Sequence, residues 1–302
     1  MPIARRLKLD LSLFPSPVRA RWFDPTTGAY SDAAKEPLPN RQSDDWFLPP
    51  SREQDSDWAL LLEATGPAAG QVASGDARYY ELRIHHALPG KSGAILELLR
   101  DKMMELARRH GLNPVACWTD AGAQGGEQVI ELFAPAGAEA AERGWRGLYD
   151  DPEFKSAFAA SEARHGKSTE RLEIIRLKAP GSAIKLAANP ARRQRVFELR
   201  FYQRAPGKEE DFKARWRNHA ARIYQRHRAE SLGWWEAFDD DHRGVFVALL
   251  AHESRAAMQM TLREFLEDGG WTRIEKETEL NGRLHTSVTT WLLKASDFSP
   301  LK

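Results

Sequence analysis

The sequence predicts an α+β protein made of two ferredoxin-like β-α-β-β-α-β repeats that cover each other's sheets, preceded by a small antiparallel β segment. Three observations predict this fold: a repeat with a constant offset, the same order of periodic segments in each copy, and short strands with turn residues near the N-terminus. The chain has 302 residues, 42% of them hydrophobic, so it can bury a sizeable core.

The repeat emerges when the sequence is shifted by 117 positions. The residues that then coincide are Glu81-Leu82-Arg83 with Glu198-Leu199-Arg200, Pro89-Gly90-Lys91 with Pro206-Gly207-Lys208, His110 with His227, and Trp118 with Trp235. A constant offset over such a span predicts two copies of one structural unit, at residues 78–178 and 195–296.

Hydrophobic periodicity predicts the elements of each copy. In the first copy they are a strand at 79–86, a helix at 92–110, strands at 114–120 and 128–134, a helical region at 136–163 broken near Asp151-Pro152, and a strand at 171–178. The second copy predicts the same order, with helices over 208–229 and 253–280. Such a sheet carries both helices on one face, and a second copy is the simplest cover for the other face.

Residues 1–67 differ from the repeats and predict a partial β-sandwich. Residues 22–30 predict a strand that enters a turn at Asp24-Pro25 and is closed by Gly28, and residues 57–64 predict a later strand. Residues 68–77 and 179–194 predict linkers.

The order of motifs in the repeats resembles the NIPSNAP domain over about two-thirds of the chain. The residues that carry the resemblance are Glu81 to Arg83, Pro89 to Lys91, Trp118, and Asp151 to Phe154; the second copy departs from the last motif at Asp268-Gly269-Gly270-Trp271. The resemblance implies a dimeric α+β barrel, here with both halves in one chain. That superfamily includes small oxygenases and haem-handling enzymes, so the fold does not settle the function.

The N-terminal segment resembles the putative collagen-binding domain that follows the catalytic barrel of some glycoside hydrolases. The match is carried by Phe47, Pro49, Pro50, Asp57 and Trp58. We expect the later part of that domain without the catalytic barrel, so the resemblance implies no glycosidase activity. A carbohydrate or protein contact through this segment remains open.

Strand alternation groups four charged residues: Glu81 and Arg83 share one face of their strand, and Glu198 and Arg200 share the matching face. If the apolar faces receive the helices, the charged faces point at the other copy. We therefore predict crossed ion pairs near the pseudo-twofold axis, because buried charges persist only when paired. The main interpretation is an interface cluster that fixes the register of the two sheets; an acid/base role and a surface location are alternatives.

His110 and His227 are candidate catalytic residues, although both lie at helix C-termini, where the helix dipole favours histidine. The catalytic interpretation places each of them in a pocket between sheet and helices, near Trp118 or Trp235. The candidate binding residues are Trp118, Trp235, His85 and its counterpart Tyr202. The acidic run at 239–242 predicts a solvated hairpin turn.

No metal site is predicted, because Cys117 is the one cysteine and no HExxH or Cys/His spacing occurs. No cofactor is expected, since the chain lacks a Gly-rich phosphate loop. The net charge of +1 argues against nucleic acid but leaves a local patch open. Without a signal-peptide core or a membrane-length apolar stretch, we expect a soluble cytoplasmic protein with a small-molecule or protein partner, able to form homo-oligomers.

Two functions follow from these patterns. The first is a non-catalytic binding or adaptor protein, supported by the lack of a recognisable catalytic set. The second is a small-molecule enzyme, such as a cofactor-independent monooxygenase or an isomerase, with a sheet–helix pocket in one copy. A cavity of about 300 Å³ or more with an inward His or Arg favours the enzyme, and a filled core favours the adaptor.

Overall fold

The computed structural model divides the chain into two compact units, Met1–Ala73 and Ser74–Lys302. It describes residues 7–11, 17–24, 27, 29–39, 42–47, 50, 58–64, 78–122, 128–179, 184–186 and 195–302. The predicted linker at 68–77 lies outside the described residues, as do Pro25, Gly28, Pro49, Asp57 and most of the linker at 179–194.

The N-terminal unit contains two antiparallel sheets, as predicted for a small β segment. One sheet pairs β1 (Leu7–Asp10) with β4 (Gln42–Phe47). The other has the order β3-β2-β5, formed by Tyr30–Asp32, Val18–Phe23 and Ala59–Ala64. A small apolar cluster around Trp22 and Phe47 forms its core.

The larger unit contains the two predicted repeats. The first consists of β6 (Arg78–Ala87), α1 (Ser92–Leu98), a π-helical turn (Leu99–Met103), α2 (Met104–Arg109), β7 (Pro114–Asp120), β8 (Gln128–Phe133), α3 (Ala138–Asp150), α4 (Pro152–His165) and β9 (Thr169–Ala179). The second consists of β10 (Val196–Arg204), α5 (Glu209–Arg215), a π-helical turn (Trp216–Ala220), α6 (Ala221–Arg226), β11 (Glu230–Ala237), β12 (Val245–His252), α7 (Arg255–Glu267), α8 (Gly269–Thr278) and β13 (His285–Ala295). Both π-helical turns obey the offset of 117.

Local signals explain where the helices begin and end. The predicted break between α3 and α4 occurs at Asp151, whose side chain accepts a hydrogen bond from the Glu153 backbone N–H (2.8 Å) and caps α4. Asp268 caps α8 in the same way, because its side chain accepts a hydrogen bond from the Trp271 backbone N–H (3.0 Å). The predicted helix over 208–229 ends earlier, at Arg226, because Arg228 adopts a left-handed backbone with a φ of 67°.

All eight strands of the larger unit form one closed barrel, in the order β10-β12-β11-β9-β6-β8-β7-β13. Each repeat contributes four neighbouring strands. The two sheets join where β11 pairs with β9 and where β13 pairs with β7. An apolar cluster with residues from both repeats, among them Leu82, Trp118, Leu199 and Trp235, fills the interior. The predicted pseudo-dimeric α+β barrel is therefore confirmed.

The predicted orientation of the first strand in each repeat is wrong. Leu82 and Leu199 point into the barrel, so the charged face that includes Glu81 and Arg83 turns toward the helices of its own repeat. A charge inside the closed barrel would lose its water among apolar side chains, whereas the helix side offers polar partners. The crossed ion pairs expected at the pseudo-twofold axis do not form.

Polar contact between the repeats occurs instead at the turn after β11. His242 lies 2.5 Å from Asp239 Oδ1 and, across the repeats, 3.2 Å from Glu173 Oε1. The Arg176 backbone N–H donates to Asp239 (2.9 Å). The acidic run forms the predicted hairpin turn, with Asp240 and Asp241 exposed, but Asp239 and His242 form a partly buried contact. Burial alone would lower the pKa of His242, but its bonds to Asp239 and Glu173 outweigh burial and raise that pKa.

We predict that this contact weakens as the pH rises. Because the folded-state pKa of His242 is raised, its stabilisation is complete below the ordinary histidine pKa of about 6.5 and is lost as the pH rises through the higher folded value. His242→Gln should therefore flatten the decline of the thermal midpoint between about pH 6 and 9. His219→Gln is the control, and equal slopes for wild type and His242→Gln would contradict the contact.

Candidate functional site

A cavity of about 380 Å³ lies between the sheet and the helices of the first repeat. Arg83 and His85 from β6 form its polar floor. The apolar lining residues are Ala94, Ile95, Leu98, Leu99, Met103, Phe154, Phe158 and Leu172. Lys167, Ser168 and Thr169 lie at its rim, so the cavity combines a buried polar end, an apolar wall and a polar mouth.

A buried carboxylate holds His85 at the floor. Its Nε2 lies 2.8 Å from Oε2 of Glu131 on β8, and Glu131 is fully buried. The other oxygen, Oε1, has no hydrogen-bond partner within the described part of the chain. A carboxylate in this position fixes the orientation and tautomer of an imidazole.

Arg83 is fixed from three sides. Its Nη2 donates to the Tyr149 hydroxyl (2.6 Å), and its guanidinium lies 3.8 Å from the ring centre of Trp145. Its Nη1 is 3.7 Å from Oε2 of Glu81, which also accepts the Trp145 Nε1–H (2.5 Å). Burial, only partly opposed by Arg83, raises the pKa of Tyr149, so that hydroxyl stays protonated. Glu81 and Arg83 thus pair within one repeat, and not across the two repeats as predicted.

The second repeat has a smaller cavity of about 200 Å³, with Arg200 and Tyr202 among its lining residues. Larger side chains fill the space: the offset places Phe212, Trp216 and Tyr224 where the first repeat has Ile95, Leu99 and Ala107. His85, Glu131 and Tyr149 correspond to Tyr202, Ala248 and Leu266. Arg200 donates to Glu198 (2.7 Å), whose other oxygen lies 3.0 Å from His252. The second copy therefore keeps the Glu–Arg ion pair and adds a histidine to it, but it has no counterpart of the His85–Glu131 pair.

The structure separates the other residues predicted from the sequence. His110 lies 2.9 Å from Asp151 and His227 lies 3.0 Å from Asp268, so each histidine joins the end of one helix to the start of another. Trp118 and Trp235 face the barrel interior, on the opposite side of the sheet from the cavities. The expected association of these tryptophans with the histidines is wrong, because Cys117 and Trp234 are the neighbours that face the helices.

Sequence reasoning missed Glu131 and Tyr149. The signal for Glu131 is a single acid in the otherwise apolar strand core VIELF, where the second copy has Ala248. Among the described residues, no group of three or more His, Cys, Asp or Glu side chains is arranged to hold a metal ion. None of the helices in that part of the chain has both the length and the apolar character needed to cross a bilayer.

Known families account for two segments of the chain. Residues 197–300 match the NIPSNAP family model. This match covers the second repeat; the first repeat shares its motifs with that segment at the offset of 117. Residues 1–63 match the putative collagen-binding domain of a collagenase. Both resemblances inferred from the sequence are thereby confirmed. No curated protein matches the chain significantly.

Several solved structures are similar to parts of this chain. An anthrone oxidase-like protein has 11% identity and a TM-score of 0.51, over 76% of this chain and 96% of that one. A putative monooxygenase from Lactobacillus acidophilus NCFM has 11% identity and a TM-score of 0.47, over 75% and 100%. An uncharacterized NIPSNAP domain protein from Burkholderia xenovorans has 17% identity and a TM-score of 0.29, over 33% and 91%. Of these three, the anthrone oxidase-like protein has a TM-score above 0.5, and at 11% identity that likeness shows the fold alone.

We predict that Arg83→Ala lowers the free energy of unfolding by about 3–5 kcal/mol, because it leaves the Glu81 carboxylate buried without its cation. Chemical denaturation of the full chain measures the change. Arg143→Ala, at an exposed position on α3, is the matched control and should change stability by less than about 0.5 kcal/mol. A similarly small change for Arg83→Ala would contradict the buried role.

Proposed function

We propose that the first repeat is a small-molecule enzyme site in which His85 is the general base and Glu131 positions it. The observation that carries the proposal is the 380 Å³ cavity with Arg83 and His85 at its floor. An adaptor would not require an open cavity beside a buried His–Glu pair, and the second repeat has the same fold with that space largely filled.

The lining defines the kind of substrate. The apolar wall suits a hydrophobic or aromatic body, and the volume lies in the range of small-molecule sites. The floor suits a carbonyl or phenolic oxygen, because the Arg83 guanidinium can stabilise negative charge that develops on it. The substrate class is therefore a largely apolar molecule with an acidic C–H or O–H next to an oxygen function.

In this proposal each group has one task. Glu131 occupies Nε2 of His85, so Nδ1 carries the lone pair that accepts the substrate proton. As the C–H or O–H bond breaks, its electrons move to the substrate oxygen, which faces Arg83. Return of the proton to a neighbouring carbon completes an isomerisation. Reaction of the deprotonated substrate with O₂ is the cofactor-independent oxygenase alternative.

We predict that residues copied from the second repeat close the cavity. Leu99→Trp and Ile95→Phe reproduce Trp216 and Phe212, which the same backbone already accommodates. The double variant should keep the thermal midpoint but lose small molecules that co-purify with the wild type, as read by mass spectrometry. Trp216→Leu in the second repeat is the control and should keep them. Equal ligand content in wild type and double variant would argue against the site.

The proposed role of His85 as the general base is tested separately from the presence of the cavity. His85→Gln should slow exchange of the acidic substrate proton in D₂O at least about 100-fold while the ligand stays bound, because a positioned base contributes about 10²–10⁴. Proton NMR of the bound ligand measures the exchange. His110→Gln is the control, and undiminished exchange in His85→Gln would remove His85 as the base.

The match of residues 1–63 to a collagen-binding domain supports a second proposal, that the N-terminal unit contacts protein. Its β3 strand is exposed, with Tyr30 half-exposed at one end. Co-sedimentation of the full chain with collagen fibres tests this contact, and a chain that stays in the supernatant argues against it.

A further inference from the structure

A basic groove of about 570 Å³ lies on the helix side of β11 in the second repeat. Four cationic side chains line it: Lys185, Arg217, Arg222 and Arg228. Gln225 and Ser231 add neutral polar groups, and the buried Trp234 adds an apolar surface. We propose that this groove binds a small molecule carrying two or more phosphate charges.

The cations of the groove are available to a ligand. Within the described residues, no acidic side chain forms an ion pair with Lys185, Arg222 or Arg228, and Arg217 contacts the neutral amide of Asn218. Glu230 is an acid among the lining residues, and Arg195, which lies outside the lining, already pairs with it (2.6 Å). The groove therefore concentrates uncompensated positive charge in a chain whose net charge is only +1.

In the first repeat, an acidic chain segment lies beside the equivalent surface. There the C-terminal segment lies along β7: the Ser296 N–H donates to the Cys117 carbonyl (3.0 Å), and the Cys117 N–H donates to the Ser299 hydroxyl (3.0 Å). Phe298 packs on the adjacent helix-side cluster. A chain segment thus covers the position that corresponds to Trp234.

That segment also brings a negative charge. Arg100 is the counterpart of Arg217. Its pKa is raised mainly by Asp101 and more weakly by Asp297. In the linker after the first repeat, the offset pairs Asp297 and Phe298 with Pro180 and Gly181, which lie outside the described residues. Neither of these residues carries a charge. In this proposal, a bound anion supplies negative charge beside Arg217 in the second repeat.

Charge and size together define the ligand. Arginine guanidinium groups bind phosphate oxygens through paired hydrogen bonds, and the volume fits one small molecule rather than a polymer. The net charge of +1 gives the whole chain no general attraction for an extended nucleic acid. The phosphates can belong to a soluble metabolite or to a lipid headgroup, and the experiment separates these sources.

Calorimetric titration of the full chain at low salt, with pyrophosphate and with ADP, tests the proposal. Arg222→Glu and Arg228→Glu are exposed charge reversals and should each weaken binding at least tenfold, while circular dichroism stays unchanged. Arg108→Glu is the matched control: it makes the same change at an exposed site on α2, at the position of Gln225, and should keep wild-type affinity. Raising the salt should weaken binding further.

The outcomes are distinct. Binding of pyrophosphate or ADP supports a soluble ligand. Binding limited to phosphatidylcholine vesicles that contain phosphatidylinositol 4-phosphate, and lost in Arg222→Glu, supports a headgroup ligand. The proposal is overturned if the wild type binds none of these probes, if all three variants bind like the wild type, or if only RNA binds.

Discussion

The closed barrel interior is the constraint on which the rest of the structure depends. Each sheet has one face that no helix of its own repeat covers, and these faces meet in a single apolar cluster. Burial of one large apolar side chain contributes about 1.5–3 kcal/mol, so Trp118 and Trp235 bind the repeats together more strongly than any exposed ion pair could. Because Leu82 and Leu199 must face inward, the charges on either side of them must face the helices.

This constraint places the charged side chains of the repeated E-L-R motif under the helices, where the cavities lie. In both copies the inward leucine leaves a carboxylate and a guanidinium under the helices, where they must be paired to stay charged. The second repeat satisfies them with His252 and a dense set of aromatic rings around Tyr202 and Trp216. The first repeat satisfies them with Trp145 and Tyr149, and its smaller residues on the first helix leave a cavity beside Arg83.

The sequence predicted where the helices and strands lie much better than which face of a strand points into the barrel. The offset, the helix break at Asp151 and the strand at Pro114–Asp120 could be read from periodicity and turn residues, because these signals are local. The orientation of β6 could not, since both of its faces are buried and alternation alone does not say which face meets the helices. Glu131 escaped notice because its strand reads as an apolar run; only the structure shows that it lies under His85.

Differences between the copies therefore say more about function than the features they share. His110 and His227 occur in both repeats because both must join helix ends, and Trp118 and Trp235 occur in both because the barrel needs them. A duplicated fold carries its stability in such shared positions, which leaves unshared positions free to change. The open cavity of the first repeat is marked by two such differences: His85 stands where the second repeat has Tyr202, and Leu99 where it has Trp216. Arg222 against Glu105 marks the basic groove by the same logic, on the other repeat. One barrel can thus hold two chemically different candidate sites, one in each copy.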